Sequence, residues 1–428
     1  MGLTSKLDKL KLNPFSEVED SHNTETTENL DDIDEVDNEG QSILMSIISQ
    51  LRPGCDLTKI TLPTFILERK SMLERITNFF QIPDILLEAN KTDDSLQRFL
   101  LVLKWYLASF HIAPKAVKKP LNPVLGEIFT CYWDDLPNGE KAYYVSEQTS
   151  HHPPKSSYFY LVPDEKIRVD GVVIPRSRFL GNSTAALMEG LGHVILGKRD
   201  DEIYVMNQPN IYCRGILFGK MKMELGDHIY VKCERTGYEA DIEFKTKGFI
   251  SGSYDVIEGF VKNTKTGERL YNISGKWNEV MEIKDLKTGK SKVLFDTNKA
   301  VRISPKVRPL NEQFDYESRK LWKPTIDALG KRDHTTATEE KYKVENEQRE
   351  RAKKRVEDGV EFHPKLFRPV HKLEVELQDL ENVIYKKFDL KENPEKLTND
   401  LLEVVPILPG QKENEMFVIP AFKKHKEQ

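Results

Sequence analysis

The sequence has only four cysteines, and no two of them form a C-x-x-C pair. Cys55, Cys131, Cys213 and Cys233 therefore indicate neither a zinc site nor a disulfide framework. Long hydrophobic runs are also missing, because stretches such as FLLVL at 99–103 are far shorter than the roughly 20 residues of a membrane-spanning helix. No secretory hydrophobic region opens the chain. We therefore expect a protein that is made and kept in the cytoplasm.

Motifs of common catalytic sites are absent as well. The chain contains no G-x-S-x-G elbow and no H-E-x-x-H, and none of its cysteines is followed six residues later by arginine. Gly289-Lys290-Ser291 lacks the upstream glycine of a phosphate-binding loop. We therefore expect no catalytic residue, no metal and no cofactor, and a protein that is not an enzyme.

Lysine and arginine are absent from residues 17–39, which carry 11 aspartates and glutamates. The net charge of −5 for the whole chain consequently leaves the remaining body mildly basic. Low hydrophobicity and charge of one sign predict a disordered acidic tail over residues 1–41. This tail is interpreted either as a solubility segment or, because an apolar segment follows it directly, as one that repels anionic membranes.

Helical periodicity begins after this tail. SILMSIISQLR at 42–52 has apolar residues at helical spacing and ends at Pro53-Gly54, which predicts a short amphipathic helix. Over residues 67–113 the pattern stays helical, and SLQRFLLVLKWYLASF carries an apolar stripe that we interpret as core. Helical patterning with many charges returns late in the chain, so we assign 310–428 to a C-terminal helical region.

Between about residues 126 and 297 the apolar pattern changes to a period of two. Segments such as GEIFTCYW, EADIEFKT and RLYNISGKW are separated by short turns, which predicts about a dozen antiparallel strands. A meander of this length forms one closed barrel more naturally than two stacked sheets. A barrel of more than about ten strands is too wide for its own side chains to fill. We therefore predict an α+β fold in which a large barrel over 120–300 contains a cavity.

Two adjacent histidines stand out in EQTSHHPPKSS at 147–157. Pro153 holds His152 in an extended conformation, and neither proline can donate to a sheet, so the HHPP unit is expected to leave the regular barrel edge. Adjacent imidazoles are poorly spaced for one metal ion. Beside lysines they suit an anion, although the dipeptide alone is better explained as two hydrogen-bonded edge histidines.

Two further motifs strengthen the anion interpretation. In KAVKKPLNPVLGE, two prolines hold Lys119 and Asn122 on a rigid backbone, although the lysines are also explained as solvated surface residues. In EEKYKVENEQRER, Lys341, Glu345 and Arg349 recur at every fourth residue and form one charged row on a helix. Ion pairs that stabilise the helix explain this row equally well.

EQTSHHPP resembles the fingerprint of the oxysterol-binding-protein homologue family, and the likeness extends from about residue 42 to the end of the chain. The lid-like SQLRPGCDLTKITLPTFILE, the KPLNPVLGE element, EQTSHHPP and the K-x-x-x-E-x-x-x-R row occur in the family's order. The resemblance implies one lipid-binding domain over 42–428. Its fold would be a large incomplete antiparallel β-barrel enclosing a lipid tunnel, with an N-terminal lid over 42–66 and helices at both ends.

The same resemblance implies the residues of a lipid headgroup site at the tunnel mouth. His151 and His152 would contact the 4-phosphate of phosphatidylinositol 4-phosphate. Leu57, Ile60 and Leu62 would belong to the lid and lie near the acyl chains. The implied headgroup-binding residues are Lys119, Asn122, His151, His152, Ser177, Lys341, Glu345 and Arg349.

LRPGCDLTKITLPTFILERKSMLER and IPRSRFLGNS are most similar to the short subgroup that exchanges phosphatidylserine for phosphatidylinositol 4-phosphate. The resemblance implies a cytoplasmic lipid transfer protein, peripheral at contact sites between the endoplasmic reticulum and the plasma membrane. A sterol/phosphatidylinositol 4-phosphate exchanger is the alternative, and a phosphoinositide-metabolising enzyme is less favoured because nucleophile motifs are missing. The implied partners are the two phospholipids, anionic membranes and, as an open alternative for docking, an endoplasmic-reticulum tether protein. We expect a monomer that binds no nucleic acid.

Overall fold

A computed structural model gives the structure of this chain. The residues that it describes are 52–55, 63–113, 117–216, 221–248 and 252–412. The predicted acidic tail 1–41 lies outside these residues, as does most of the predicted lid.

Helices precede and follow the sheet along the chain, as the sequence predicted. The α-helices of the described residues are α1 (Met72–Arg75), α2 (Pro83–Lys91), α3 (Ser95–Ser109), α4 (Ser318–Leu321), α5 (Lys323–Gly330), α6 (His334–Glu357) and α7 (Pro394–Val404). Single 3₁₀ segments lie at Thr64–Ile66, Ile76–Phe80, Pro137–Gly139, Gly197–Arg199, Thr297–Lys299, Leu310–Glu312 and Val375–Leu380. No described helix combines the length and the apolar character that crossing a membrane requires.

The described strands are mostly antiparallel. They are β1 (Leu67–Ser71), β2 (Lys119–Leu121), β3 (Ile128–Trp133), β4 (Ala142–His151), β5 (Pro154–Val162), β6 (Ile167–Val173), β7 (Pro175–Phe179), β8 (Ser183–Met188), β9 (Leu191–Leu196), β10 (Glu202–Asn207), β11 (Asn210–Arg214), β12 (Lys222–Cys233), β13 (Tyr238–Lys245), β14 (Val256–Asn263), β15 (Arg269–Lys276), β16 (Val280–Asp285), β17 (Ser291–Asp296), β18 (Phe367–Pro369) and β19 (Asn382–Ile384).

Strands β3 to β17 form one 15-stranded sheet, whereas the sequence predicted about a dozen strands. Its main path runs from β17 at one edge to β3 at the other, and β7, β8 and β11 branch from β12. The two edge strands do not pair with each other, so the barrel is incomplete. The predicted incomplete barrel is therefore confirmed for the described residues.

The edge at β3 is covered by the chain that follows the sheet. Ile128 donates its backbone N–H to Tyr316 O at 3.1 Å, and Tyr132 donates to Lys306 O at 2.9 Å. Trp133 donates its indole N–H to Ile303 O at 2.8 Å. These bonds satisfy backbone groups that an open edge strand would leave unpaired.

The N-terminal helices occupy the interior of the barrel. Helix α3 packs against β13 and β17, and its neighbours join the same apolar core as the sheet. Phe80 stacks on Tyr160 with ring centroids 4.2 Å apart, and Phe110 meets Phe244 edge-on at 5.3 Å. The interior is therefore apolar and partly filled by aromatic rings.

A small pocket remains between these helices and the sheet. Tyr158 reaches this pocket because its ring lies over two glycines of the neighbouring strands. A Cβ atom at Gly171 would stand 2.1 Å from Cζ of Tyr158, and one at Gly192 would stand 2.9 Å from its hydroxyl oxygen. The pocket is lined by Phe79, Phe80, Trp105, Tyr106, Tyr158, Val169, Gly192, Met206 and Gln208.

A second core covers the outer face of the first strands. Val145, Phe159 and Leu161 pack there with residues of the C-terminal region, among them Leu380 and Leu401. Strands β4 and β5 are consequently buried on both faces, which explains the unbroken apolar runs AYYV and YFYLV within them. This double packing fixes the hairpin that carries the two adjacent histidines.

Candidate functional site

The HHPP unit forms the tip of the β4–β5 hairpin. His151 is the last residue of β4 and pairs with Pro154, the first residue of β5. The expectation that the unit leaves the sheet edge is therefore wrong for His151 and Pro154, whereas His152 and Pro153 lie outside the strands in the turn. Proline is accommodated because it stands at the start of a strand, where a missing N–H is tolerated. The peptide bond between His152 and Pro153 is cis, and the two imidazole rings lie 4.4 Å apart, edge to face.

The residues before the histidines hold the hairpin together. Thr149 Oγ1 lies 2.9 Å from Ser157 Oγ across the two strands. Ser156 donates its hydroxyl to Gln148 Oε1 at 2.6 Å, while Gln148 Nε2 donates to Ser150 O at 2.9 Å. These polar side chains therefore support the turn.

Glu147 attaches this hairpin to the C-terminal region. Its two carboxylate oxygens accept the backbone N–H groups of Lys365 and Leu366, each at 2.7 Å. The carboxyl group is fully buried, and burial raises its pKa to about 7 although the Lys365 ammonium and the two backbone donors oppose this shift. The glutamate of EQTSHHPP thus has a structural contact that sequence analysis did not predict.

Lys119 and Asn122 lie on and just after β2, and both are exposed. Strand β2 pairs in parallel with β1, so that Leu67 faces Lys119. Although Lys119 is exposed as a residue, its ammonium group is surrounded by protein. This desolvation lowers its pKa, repulsion from Lys341 lowers it further, and Glu345 opposes both. The β2 motif and the charged row therefore interact electrostatically.

The charged row lies on helix α6, which Asp333 caps by accepting the Thr336 N–H at 3.0 Å. Lys341 Nζ lies 2.5 Å from Glu345 Oε1, and Arg349 Nη2 lies 3.6 Å from Glu345 Oε2. Glu345 therefore pairs with a cation on either side of it. The predicted ion pairs of the helix exist in this structure.

Gln348 connects α6 to the other two motifs. Its side-chain oxygen Oε1 accepts the backbone N–H of Leu125, which belongs to KPLNPVLGE, at 2.5 Å. Its amide nitrogen lies 2.9 Å from His151 Nε2. Sequence analysis missed Gln348, although it stands seven residues after Lys341 and thus on the same helical face.

His151 is held in a neutral, partly buried state. Burial lowers its pKa to about 4, with His152 and Arg349 adding repulsion and Glu345 opposing them. Its Nδ1 atom is buried and has no hydrogen-bond partner within the described part of the chain. His152 is exposed beside it. The site therefore presents an unsatisfied imidazole nitrogen among several cationic side chains.

The remaining predicted residues are Ser177 and the three lid residues. Ser177 lies on β7, where it pairs with Ala186 of β8, and β7 also contacts β5, the strand that follows the HHPP turn. Leu57, Ile60 and Leu62 lie outside the described residues. Three sequence motifs thus meet at His151, Lys119 and Lys341.

A family model described as Oxysterol-binding protein matches residues 46–328 of this sequence, about two thirds of its length. This chain belongs to the oxysterol-binding-protein family. Members of this family are lipid-binding and lipid-transfer proteins, and lipid transfer is therefore the general function of the chain. The charged row on α6 lies beyond the matched residues, so its contacts come from the structure.

Curated relatives extend this family likeness along nearly the whole chain. The oxysterol-binding protein-like protein OBPa of Candida albicans is 72% identical over 432 residues, which cover 100% of both chains. The oxysterol-binding protein homolog 6 of Saccharomyces cerevisiae is 60% identical over 399 residues, which cover 92% of this chain and 87% of the relative.

Solved structures of the family share the fold. The Osh1 ORD domain in complex with cholesterol superimposes with a TM-score of 0.67 at 25% identity, covering 79% of this chain and 85% of that domain. The Osh3 ORD of Saccharomyces cerevisiae in complex with PI(4)P gives a TM-score of 0.60 at 22% identity, covering 80% and 90%. The fold of this oxysterol-binding-protein relative is thus that of known lipid-binding domains.

Proposed function

We propose that this protein exchanges phosphatidylserine for phosphatidylinositol 4-phosphate between two membranes. The observation that carries the proposal is the buried Nδ1 of neutral His151, which has no hydrogen-bond partner among the described residues and stands in a cluster with Lys119, Lys341 and Arg349. Charge-assisted hydrogen bonds from such groups suit a phosphate. A phosphate would also relieve the repulsion that lowers the pKa of Lys119.

The apolar interior supplies the second requirement of a phospholipid carrier. Moving an acyl chain through water costs about 0.8 kcal/mol for each CH₂ group, so unaided desorption from a bilayer is slow. An interior lined by aromatic and aliphatic side chains lowers that cost. Competition of two lipids for one cavity lets a gradient of one drive the other, at about 1.4 kcal/mol for each tenfold gradient.

Phosphatidylserine is proposed as the second ligand because the lid-like and IPRSRFLGNS motifs are similar to those of the phosphatidylserine-exchanging subgroup. A sterol is the alternative, favoured by the cholesterol in the Osh1 structure. The headgroup cluster serves phosphatidylinositol 4-phosphate equally in both cases. Lipids that co-purify with the protein distinguish the two by mass.

We further propose that the protein acts in the cytoplasm at contacts between the endoplasmic reticulum and the plasma membrane, without catalysis. It would touch anionic membranes only peripherally, as a monomer, and an endoplasmic-reticulum tether protein would direct it there. Colocalisation of the full chain with markers of both membranes tests this placement.

Two double variants test the ligand assignment. His151→Ala with His152→Ala removes donors that serve only the 4-phosphate, each worth about 1.5 to 3 kcal/mol. Extraction of phosphatidylinositol 4-phosphate from liposomes should therefore fall well over tenfold, while extraction of phosphatidylserine falls much less. Lys119→Ala with Asn122→Ala should depress the extraction of both lipids.

His371→Ala serves as the matched control, since it removes an exposed imidazole and should leave both extractions unchanged. The histidine double variant should still equilibrate phosphatidylserine but lose acceleration by a phosphoinositide gradient. Equal losses of both lipids in that variant would mean that the pair supports the fold or the membrane contact, and the phosphate assignment would be wrong.

A further inference from the structure

The side-chain amide of Gln348 has one orientation only. The backbone N–H of Leu125 can donate but not accept, so the atom that it meets at 2.5 Å must be the amide oxygen of Gln348. The NH₂ group of Gln348 is thereby turned toward the tip of the β4–β5 hairpin. Gln348 is nearly fully buried, which limits competition from water at both contacts.

This orientation fixes the proton of His151. The Gln348 amide nitrogen donates and has no lone pair available to accept, and it lies 2.9 Å from His151 Nε2. His151 Nε2 must therefore be the acceptor and carry no proton. In a neutral imidazole the proton then lies on the other nitrogen, Nδ1.

We propose that Gln348 is a positioning residue that holds His151 as the Nδ1–H tautomer, so that Nδ1–H donates to a phosphate oxygen of the bound lipid headgroup. The identity of that phosphate rests on the proposed function, whereas the proton placement does not. The buried Nδ1 has no partner in the described part of the chain, and a buried donor of this kind is costly until an acceptor arrives.

The surroundings of His151 agree with a neutral ring. Burial disfavours the imidazolium and His152 and Arg349 repel it, while Glu345 favours it. Glu345 is already paired with Lys341 and Arg349. Because the neutral ring of His151 carries no charge, the positive charge of the site comes from Lys119, Lys341 and Arg349.

The proton placement also couples three parts of the chain. Gln348 contacts the loop after β2 and the hairpin tip while its own helix carries Lys341 and Arg349. A shift of α6 would break both contacts of the amide and release His151 to the tautomer that free imidazole prefers in water. Gln348 thus keeps the proton on Nδ1, the atom that donates to the phosphate, only while the loop after β2, the hairpin tip and α6 are in contact.

The direct test is the tautomer of His151 in the ligand-free full chain. With ¹⁵N-labelled histidine, long-range ¹H–¹⁵N correlation spectra at neutral pH distinguish protonated from unprotonated ring nitrogens, and His151→Ala identifies the signal. We expect protonated Nδ1 and unprotonated Nε2. A wild-type spectrum with protonated Nε2 would overturn the inference, whatever lipid the protein extracts.

Gln348→Glu provides the matched change. A carboxylate still accepts from Leu125, but it now presents an acceptor to His151 Nε2, so the proton of the neutral ring should move from Nδ1 to Nε2. Extraction of phosphatidylinositol 4-phosphate from phosphatidylcholine vesicles that contain it should fall about tenfold, because Nδ1 then carries no proton to donate. An unchanged tautomer in this variant would contradict the role of Gln348.

Glu347→Gln is the control, since Glu347 is an exposed neighbour on the same helix and its variant should keep the tautomer and the extraction of wild type. These measurements distinguish a failure of the proton placement from a failure of the proposed function. Protonated Nδ1 in a protein that extracts no phosphatidylinositol 4-phosphate would support the proton placement and overturn the proposed function. A tautomer change without any change in extraction would overturn the donor role of Nδ1–H.

Discussion

Lys118 donates a hydrogen bond from Nζ to the backbone carbonyl oxygen of Phe65 at 2.9 Å. Lys118 precedes the strand that carries Lys119, while Phe65 lies next to the last residue of the segment predicted as the lid, 42–66. The parallel pairing of β1 with β2 continues this contact, with Leu67 opposite Lys119. The end of the predicted lid and the proposed headgroup site are therefore attached to each other.

Replacing Lys118 by methionine should loosen this attachment. Met keeps most of the apolar stem but removes the charged donor, and we expect the free energy of unfolding to fall by about 1.5 kcal/mol. Limited proteolysis should cleave faster between residues 52 and 67. Lys141→Met, which alters an exposed lysine, is the control. Identical cleavage of both variants would show that Lys118 does not hold the lid end.

Glu127 is a buried carboxylate whose hydrogen bonds to the described part of the chain all come from neutral donors. Its Oε1 accepts the hydroxyls of Ser71 and Ser318, each at 2.6 Å. Its Oε2 accepts Trp322 Nε1–H at 2.9 Å and the Val124 N–H at 3.0 Å. Glu127 thus joins the N-terminal helices, KPLNPVLGE and the C-terminal helices.

Two substitutions of Glu127 should differ in their cost to stability. Glu127→Gln should cost only about 1 kcal/mol, because the hydroxyls of Ser71 and Ser318 can rotate to accept from the new NH₂ group. Glu127→Leu should cost about 3 kcal/mol or more, since Trp322 Nε1–H and the Val124 N–H would remain buried without acceptors. Denaturant unfolding measures both, and equal costs would exclude this explanation.

Alternation of apolar residues revealed the barrel but not all of its strands. Alternation does not reveal β7, because Arg176 and Arg178 are exposed and only Phe179 is buried, so the segment has no apolar face. In β12, Gly226-Asp227 resembles a turn that would end a strand. Asp227 has a φ of 69° but still pairs with Phe244, so the strand continues through it.

The charged members of the site were evident from the sequence, whereas their connection was not. Gln348 carries no charge and shows no motif, and its partners Leu125 and His151 lie about two hundred residues away in the chain. Helical spacing from Lys341 places it on the right face, but only the packing of α6 against the hairpin gives it a role.

The pH dependence of stability should reveal Glu147. Its pKa is about 7 in the folded protein and 4.5 as the ordinary value, so the folded state binds the proton more tightly. This stabilisation is complete below pH 4.5 and disappears as the pH rises through 7, which amounts to about 3 kcal/mol. Gln cannot titrate, so the stability difference between wild type and Glu147→Gln should decrease by that amount over the same interval.

Chemical denaturation at a series of pH values checks this sign. Glu376→Gln, at an exposed glutamate, should differ from wild type by a constant amount. A difference that increases with pH for Glu147→Gln would mean that the two backbone N–H groups of Lys365 and Leu366 outweigh burial.

The two described parts of the predicted lid, 52–55 and 63–66, are attached to different parts of the protein. In the first part, Gly54 donates its N–H to Phe179 O at 2.6 Å, and Phe179 donates to Cys55 O at 3.1 Å, so that this part is bound to the end of β7. In the second part, Phe65 accepts the bond from Lys118. These bonds fix the two described parts of the predicted lid.

Deletion of residues 1–62 should therefore expose the apolar interior. We expect lipid transfer between liposomes to fall about tenfold or more, because released acyl chains would meet water, and we expect the truncated protein to remain bound to membranes longer. Deletion of residues 1–41 alone removes the acidic tail but keeps Leu57, Ile60 and Leu62, and it should preserve transfer. Undiminished transfer after the longer deletion would contradict the lid assignment, because the interior would then hold lipid without this segment.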